Sequence, residues 1–216
     1  MRIAVLGSGN VGRAVAAGLS KAGHDVVVGT RDTSRPELEQ WSAESGVPLV
    51  EQPEAGRHAE VLVNATPGQA SAGALAAAGG AELDGTIVLD VANPLDFSAG
   101  FPPSLSVCNT DSLAESLQRA FPSLRVVKAL NTVYMEVMVD PGQLAEPSSL
   151  FVAGDDADAK STVVDMLTSL GWDRDQIFDL GELAAARGAE AYVLLWLRLM
   201  RSLGTATFNV RVVRAG

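Results

Sequence analysis

The sequence predicts an α/β protein: a doubly wound, mostly parallel sheet followed by a small α+β C-terminal portion. Three observations support this. Apolar runs of strand length alternate with helix-length segments over the first two-thirds of the 216 residues. The first run, Ile3-Ala4-Val5-Leu6, passes directly into Gly7-Ser8-Gly9-Asn10-Val11-Gly12 and then into an Ala/Val/Leu-rich stretch with helical spacing. Three later runs end in turn-forming residues, at Thr66-Pro67-Gly68, Asn93-Pro94-Leu95 and Leu130-Asn131-Thr132.

The elements follow in order. After a second strand at 24–29, residues 36–45 read as a polar helix, and Gly46-Val47-Pro48 turns into a short extended segment at 49–50. Strands are expected at 60–65 and 86–91, with a small-residue helix at 70–78 between them. Residues 97–107, rich in Pro, Ser and Phe, are expected to form a loop. A helix at 112–120 and a strand at 124–129 complete the alternating part. Residues 131–147 lack a clean period. Strands at 149–153 and 176–180 flank an amphipathic helix at 158–170, whose apolar face carries Val163, Val164, Met166, Leu167 and Leu170. A long helix at 182–203 is apolar on most sides from Tyr192 to Leu197, which places it in the core or against a partner.

Composition narrows the functional classes. Hydrophobic residues make up 47% and charged residues 19%, as in an ordinary soluble globule. A net charge of −10 argues against nucleic acid and anionic membrane surfaces as partners. It leaves room for an anionic ligand, because loop amides and a few arginines can hold a phosphate locally. Cys108 is the single cysteine, which excludes a disulfide framework, and no metal-ligand cluster is apparent. Met1-Arg2 leads straight into the first strand, so no signal peptide is expected. No apolar run reaches membrane-spanning length, the one at 192–200 being broken by Arg198. The expected location is cytoplasmic.

Strand, glycine turn and helix together form a Rossmann-type dinucleotide-binding fingerprint. Gly7 permits the tight turn, Gly9 lets backbone approach a pyrophosphate, and Gly12 allows close helix–strand packing. The amides at the start of the helix, around Ser8, Asn10 and Val11, can then hold phosphates without a basic side chain. The second strand ends in Gly29-Thr30-Arg31, where an NAD-specific site places an acid. Arginine there fits a 2′-phosphate, so NADP(H) is the expected cofactor. Thr30 offers a hydroxyl, Arg31 a planar charge-assisted bond and Arg35 a second charge. Asp32 is the dissenting residue, since an acid facing the ribose turns the preference toward NAD. The expected organisation is a dinucleotide-binding domain over 1–145, with a C-terminal portion over 146–216 packed on it and dimerising.

In an open parallel sheet the strand ends converge on one crevice. Thr66 and Pro67 border the path of the cofactor there. Asn93 and Asn131 offer amides for a carboxamide or a second ligand, or serve as turn formers. Lys128 is a candidate positioning group or proton donor, or a lysine that faces solvent or pairs with an acid. His24 and His58 sit at the wrong ends of their strands and read as surface or packing residues. Met135, Met138 and Trp196 are candidates to line a flat cofactor, or are core. No residue is assigned as a catalytic acid or base.

With these motifs assembled, the sequence resembles the F420-dependent NADP oxidoreductases. The resemblance rests on the glycine loop, Gly29-Thr30-Arg31, Asn93-Pro94-Leu95, Lys128-Ala129-Leu130-Asn131-Thr132 and Val152-Ala153-Gly154-Asp155-Asp156. It implies a Rossmann domain with a small C-terminal portion, a homodimer, and hydride exchange between NADPH and the deazaflavin coenzyme F420. It also puts the deazaflavin near residues 131–138, where Tyr134 and Met135 stand in place of smaller residues. Two other readings fit the residues: an NADP-dependent reductase of a small carbonyl or imine, with Lys128 as proton donor, and a non-enzymatic NADP(H)-sensing module.

Overall fold

The computed structural model describes residues 1–215. The first part alternates as expected, with β1 (Arg2–Leu6), α1 (Asn10–Lys21), β2 (Asp25–Thr30), α2 (Pro36–Ser45), β3 (Leu49–Glu51), α3 (Gln52–His58), β4 (Val61–Asn64), α4 (Gly68–Ala78) and β5 (Ile87–Asp90). A two-stranded ribbon, β6 (Leu95–Asp96) and β7 (Ser104–Leu105), precedes α5 (Leu113–Ala120) and β8 (Arg125–Lys128). Then come α6 (Met135–Val139), β9 (Leu150–Gly154), α7 (Ala157–Ser169), β10 (Ile177–Asp179) and α8 (Ala186–Leu203).

One eight-stranded sheet has the order β10-β9-β8-β5-β4-β1-β2-β3. From β3 to β8 this is the doubly wound dinucleotide-binding order, with its reversal between β1 and β4. All pairs there are parallel. β9 joins β8 antiparallel, and β10 then runs parallel to β9, so the C-terminal elements extend the same sheet.

Strand alternation builds two cores, one on each face. Ile3, Val5, Val26, Val28, Val61, Val63, Leu89 and Val127 pack with Val15 and Leu19 of α1 and Val163 and Met166 of α7. Their neighbours Ala4, Leu6, Val27, Leu62, Val88 and Val126 pack with Leu75 of α4 and Leu117 of α5. Trp172 lies within the first core, and its indole N–H donates to the carbonyl of Met138 at 3.0 Å. The segment after α8 runs back along the start of β9, where Ser149 N–H donates to Val210 O at 2.8 Å.

Two elements are additional to the sequence expectation, α3 and α6, and two expectations are corrected, the loop at 97–107 and the start of the long helix. Helix α3 forms in a stretch with no helical period because Gly56 lets it sit directly on Ala78: a Cβ there would lie 1.7 Å from that carbonyl. The expected loop at 97–107 is bridged by the β6–β7 ribbon. Residues 135–139 within the irregular segment form α6. The long helix begins at Ala186, after a single 3-10 turn at Leu183–Ala185.

Candidate functional site

Register sets the site. Leu6 lies level with Asn64, Asn64 with Asp90, and Asp90 with Lys128, so four strands leave the sheet at one height. The glycine loop fills the first exit. Gly7 has φ +115, and a Cβ there would lie 2.5 Å from the carbonyl oxygen of Ala65. On Gly12 a Cβ would lie 1.8 Å from the carbonyl oxygen of Gly7, so only glycine closes the turn under α1. By contrast, a Cβ on Gly9 meets nothing within 4 Å. Gly9 caps α1 with no side-chain hydrogen bond, and the first turn (Asn10, Val11, Gly12) holds no acid. The N–H groups of that turn therefore lack internal partners and face open space, as a pyrophosphate requires.

At the end of β2, Thr30 is buried and its hydroxyl lies 3.3 Å from that of Ser8. Arg31 is exposed and pairs with no acid among the described residues. Asp32 is turned to its own loop, where it accepts from the amide of Ser34 at 2.9 Å and its hydroxyl at 2.7 Å. Those bonds hold its carboxyl below the usual carboxylate range. Arg35 is engaged in an exposed ion pair with Glu37. Of the two arginines expected at a 2′-phosphate, Arg31 is the one left unpaired.

On the other side of β1, Thr66 donates to Asn64 Oδ1 at 2.7 Å, and Pro67 caps α4. Gly68 brings α4 onto Asn93, where a Cβ would lie 2.5 Å from the carbonyl oxygen. Asn93 and Asn131 bond each other twice: Asn93 Nδ2 to Asn131 O at 2.8 Å, and Asn131 Nδ2 to Asn93 Oδ1 at 3.0 Å. Asn131 Nδ2 also donates to Ala189 O at 2.9 Å. Just before it, Leu130 holds φ +63 while fully buried, a strained conformation for a residue with a side chain.

Lys128 departs most from the sequence expectation. Its ammonium is fully buried and donates to Asp90 Oδ2 at 2.8 Å, to the carbonyl of Ala92, and to Glu190 Oε1 at 2.8 Å. All three donors are used, so the proton-donor role does not fit, and the acid pairing is what the structure holds. Burial alone would lower its pKa, but Asp90 and Glu190 outweigh that and hold it above the ordinary 10.5. Asp90 also accepts from Asn64 Nδ2 at 2.8 Å. Glu190 accepts from the amides of Leu113 and Ala114, at 2.8 and 3.1 Å.

The sequence reading missed Asn64, Asp90 and Glu190. The signal was present: three apolar strands end in Asn64, Asp90 and Lys128, and Glu190 is the sole acid in the sequence of α8.

His24 bonds Ser169 at 2.9 Å, and burial lowers its pKa. His58 lies 3.2 Å from the carbonyl of Asp25, at the opposite end of the sheet from the crevice. Met138 is core, packed in the first cluster. Trp196 stacks between Tyr134 and Phe208, with centroids 6.5 and 5.5 Å apart. A separate groove of about 850 Å³ between α8 and the ribbon is lined by Pro102, Leu105, Ala191, Leu194 and Arg198, and by none of the glycine-loop residues.

A doubly wound sheet with a bare glycine-capped helix at its switch point is the architecture of a dinucleotide-binding protein, and the relatives of this chain place it among the NADP-dependent oxidoreductases. The chain belongs to the family described as NADP oxidoreductase, coenzyme F420-dependent, whose model matches residues 2–94. It is similar over 99% of its length, at 48% identity and a TM-score of 0.95, to all of a candidate F420-dependent NADP-reductase from Arthrobacter sp. FB24. It is 30% identical over 198 residues to the metalloreductase STEAP3 of Rattus norvegicus. That match covers 89% of this chain and 36% of the relative, so the chain spans about a third of its length. A reductive aminase from Aspergillus terreus shares the fold at 21% identity and a TM-score of 0.66, over 94% of this chain and 62% of that one. No helix among the described residues is long and apolar enough to cross a membrane.

Proposed function

We propose that this protein exchanges hydride between NADP(H) and a deazaflavin coenzyme of the F420 type. The observation that carries the choice is the closure of Lys128. The ionisable side chain at the β8 exit has every donor engaged by Asp90, Ala92 and Glu190, which disfavours a carbonyl or imine reduction using it as acid. The names of the family and of the Arthrobacter structure point the same way.

The chain's own work in this reading is to hold and orient. The first-turn amides of α1 take the pyrophosphate, Thr30 and Arg31 take the 2′-phosphate end, and the Asn93–Asn131 pair floors the nicotinamide end. When bound, the two coenzymes supply the reaction: a hydride passes from the dihydronicotinamide to C5 of the deazaflavin, and solvent supplies the proton that balances it. Alignment of two planar rings is worth up to about 7–11 kcal/mol of the barrier.

Mixing the protein with NADPH and F420 tests this. Parallel loss of the NADPH and deazaflavin absorbances supports it. Saturable turnover of a carbonyl or imine, with none of the deazaflavin, overturns it. The resemblance also implies a homodimer; Leu195 and Leu203 of α8 are exposed apolar side chains that a second copy would cover.

A further inference from the structure

We propose that one turn of α8, Ala189-Glu190, is the positioning element for the nicotinamide end of the cofactor site, with Glu190 locking it in place. The proposal rests on the NADP(H) reading above.

The sheet order separates the two halves of the ligand. β2, with Thr30 and Arg31, lies on one side of β1, and β4, β5 and β8 lie on the other. Neighbouring strands are about 4.8 Å apart, so the β5 and β8 exits are about 10 and 14 Å from the glycine loop, where the half of a dinucleotide beyond its phosphates falls. Asn131 stands at the β8 exit. Both hydrogens of its amide are used, one on Asn93 Oδ1 and one on Ala189 O. This pattern fixes which way the amide points, because a flipped group would set its oxygen against two acceptors. Oδ1 is left as the acceptor: it takes no bond from a described residue, and it is not among the buried atoms lacking a partner. It is suited to receive an N–H of a carboxamide.

What fixes Asn131 comes from the far end of the chain. Ala189 supplies one of its two acceptors. The next residue, Glu190, reaches Lys128 and the two amides that open α5, tying α8 to β8 and to α5 in one contact set. Through Lys128 the same set includes Asp90 and Ala92, just before Asn93. The strained Leu130 lies between Lys128 and Asn131, and such conformations persist where the surroundings over-determine them. A helix outside the glycine-loop half thus sets the orientation of two asparagines within the crevice.

The test compares two ligands. NADPH carries the nicotinamide; 2′,5′-ADP carries only the adenosine with its 2′- and 5′-phosphates. Glu190→Gln removes one of the two negative charges that hold Lys128. It is expected to leave the Kd for 2′,5′-ADP unchanged and to cut the preference for NADPH over 2′,5′-ADP by about tenfold. Glu190→Asp keeps the charge with shorter reach, and shows the same selective loss if the Gln variant does not fold. Asn131→Ala gives a similar loss, and adding Glu190→Gln to it costs nothing further in the ratio, since both act through one group. An unchanged ratio in folded variants, or parallel weakening of both ligands, overturns the proposal. Wild-type protein that binds neither ligand overturns the NADP(H) reading itself, and this one with it.

Discussion

The hydroxyls of Ser8 and Thr30 face each other across 3.3 Å, joining the glycine loop to the end of the second strand. This contact places Arg31, one residue on, at the rim of the loop with its guanidinium unpaired. Arg31→Ala should weaken NADPH binding by about 1.5–3 kcal/mol and leave NADH binding nearly unchanged, as removal of a bond to a charged group does. Titrating both nucleotides checks it, and equal losses would place Arg31 away from the 2′-phosphate.

Two glycines of one loop should respond in opposite ways. Gly12→Ala drives a methyl group into the carbonyl of Gly7, and should lower stability to urea by at least about 1–3 kcal/mol. Gly9 has φ −77 and open space around it, so Gly9→Ala should melt with the wild type. Its methyl occupies the volume a pyrophosphate needs, and NADPH affinity should fall by about tenfold or more. Melting curves paired with titrations separate the two effects.

Lys128→Met leaves Asp90 and Glu190 facing each other without a cation. Loss of one partner of a buried ion pair costs about 3–5 kcal/mol, which urea denaturation can measure. In the wild type the raised pKa of Lys128 gives a stabilisation that is complete below 10.5. It is lost only as pH rises through the higher folded value. The lysine therefore protects the fold at neutral pH and fails on the alkaline side.

Glu115 works on the acid side. Arg187 donates two hydrogen bonds to it and, with Ser112, holds its carboxyl below the ordinary 4.5. Its contribution is present above 4.5 and disappears as pH falls through the lowered folded value. Melting temperature should drop below pH 4.5 in the wild type, and the drop should be shallower in Arg187→Met.

The apolar face of α8 can be tested in solution. Leu195 is 55% exposed in the single chain. Sedimentation should show a dimer for the wild type and a monomer for Leu195→Glu; a wild-type monomer, or a variant that stays dimeric, removes the dimer from this face.

The sheet could be read from the sequence because each central strand is a short apolar run bounded by turn residues, and α2 starts at a proline and ends at a glycine. Helix α3 could not. It has seven residues, including Pro53 and Gly56, and forms because α4 supplies a surface that fits it. The ribbon has two residues per strand, so pairing rather than local preference makes it. The glycine loop, Thr30 and Arg31 are local in sequence and could be placed from it. The Lys128 cluster joins three distant segments, and its existence depends on how α8 rotates against β8. Spacing within a helix does not encode that rotation, although a lone acid among apolar neighbours hinted at it.

Two helix starts behave differently towards negative charge. α1 begins on a glycine with its amides bare, while α5 begins on Ser112 with its first two amides already held by the Glu190 carboxylate. One start is left open to an anion, and the other is occupied by the protein's own carboxylate. In the dinucleotide reading proposed above, this gives the crevice a built-in polarity that would favour seating the ligand in one direction, set by a carboxylate that the chain supplies long after the glycine loop.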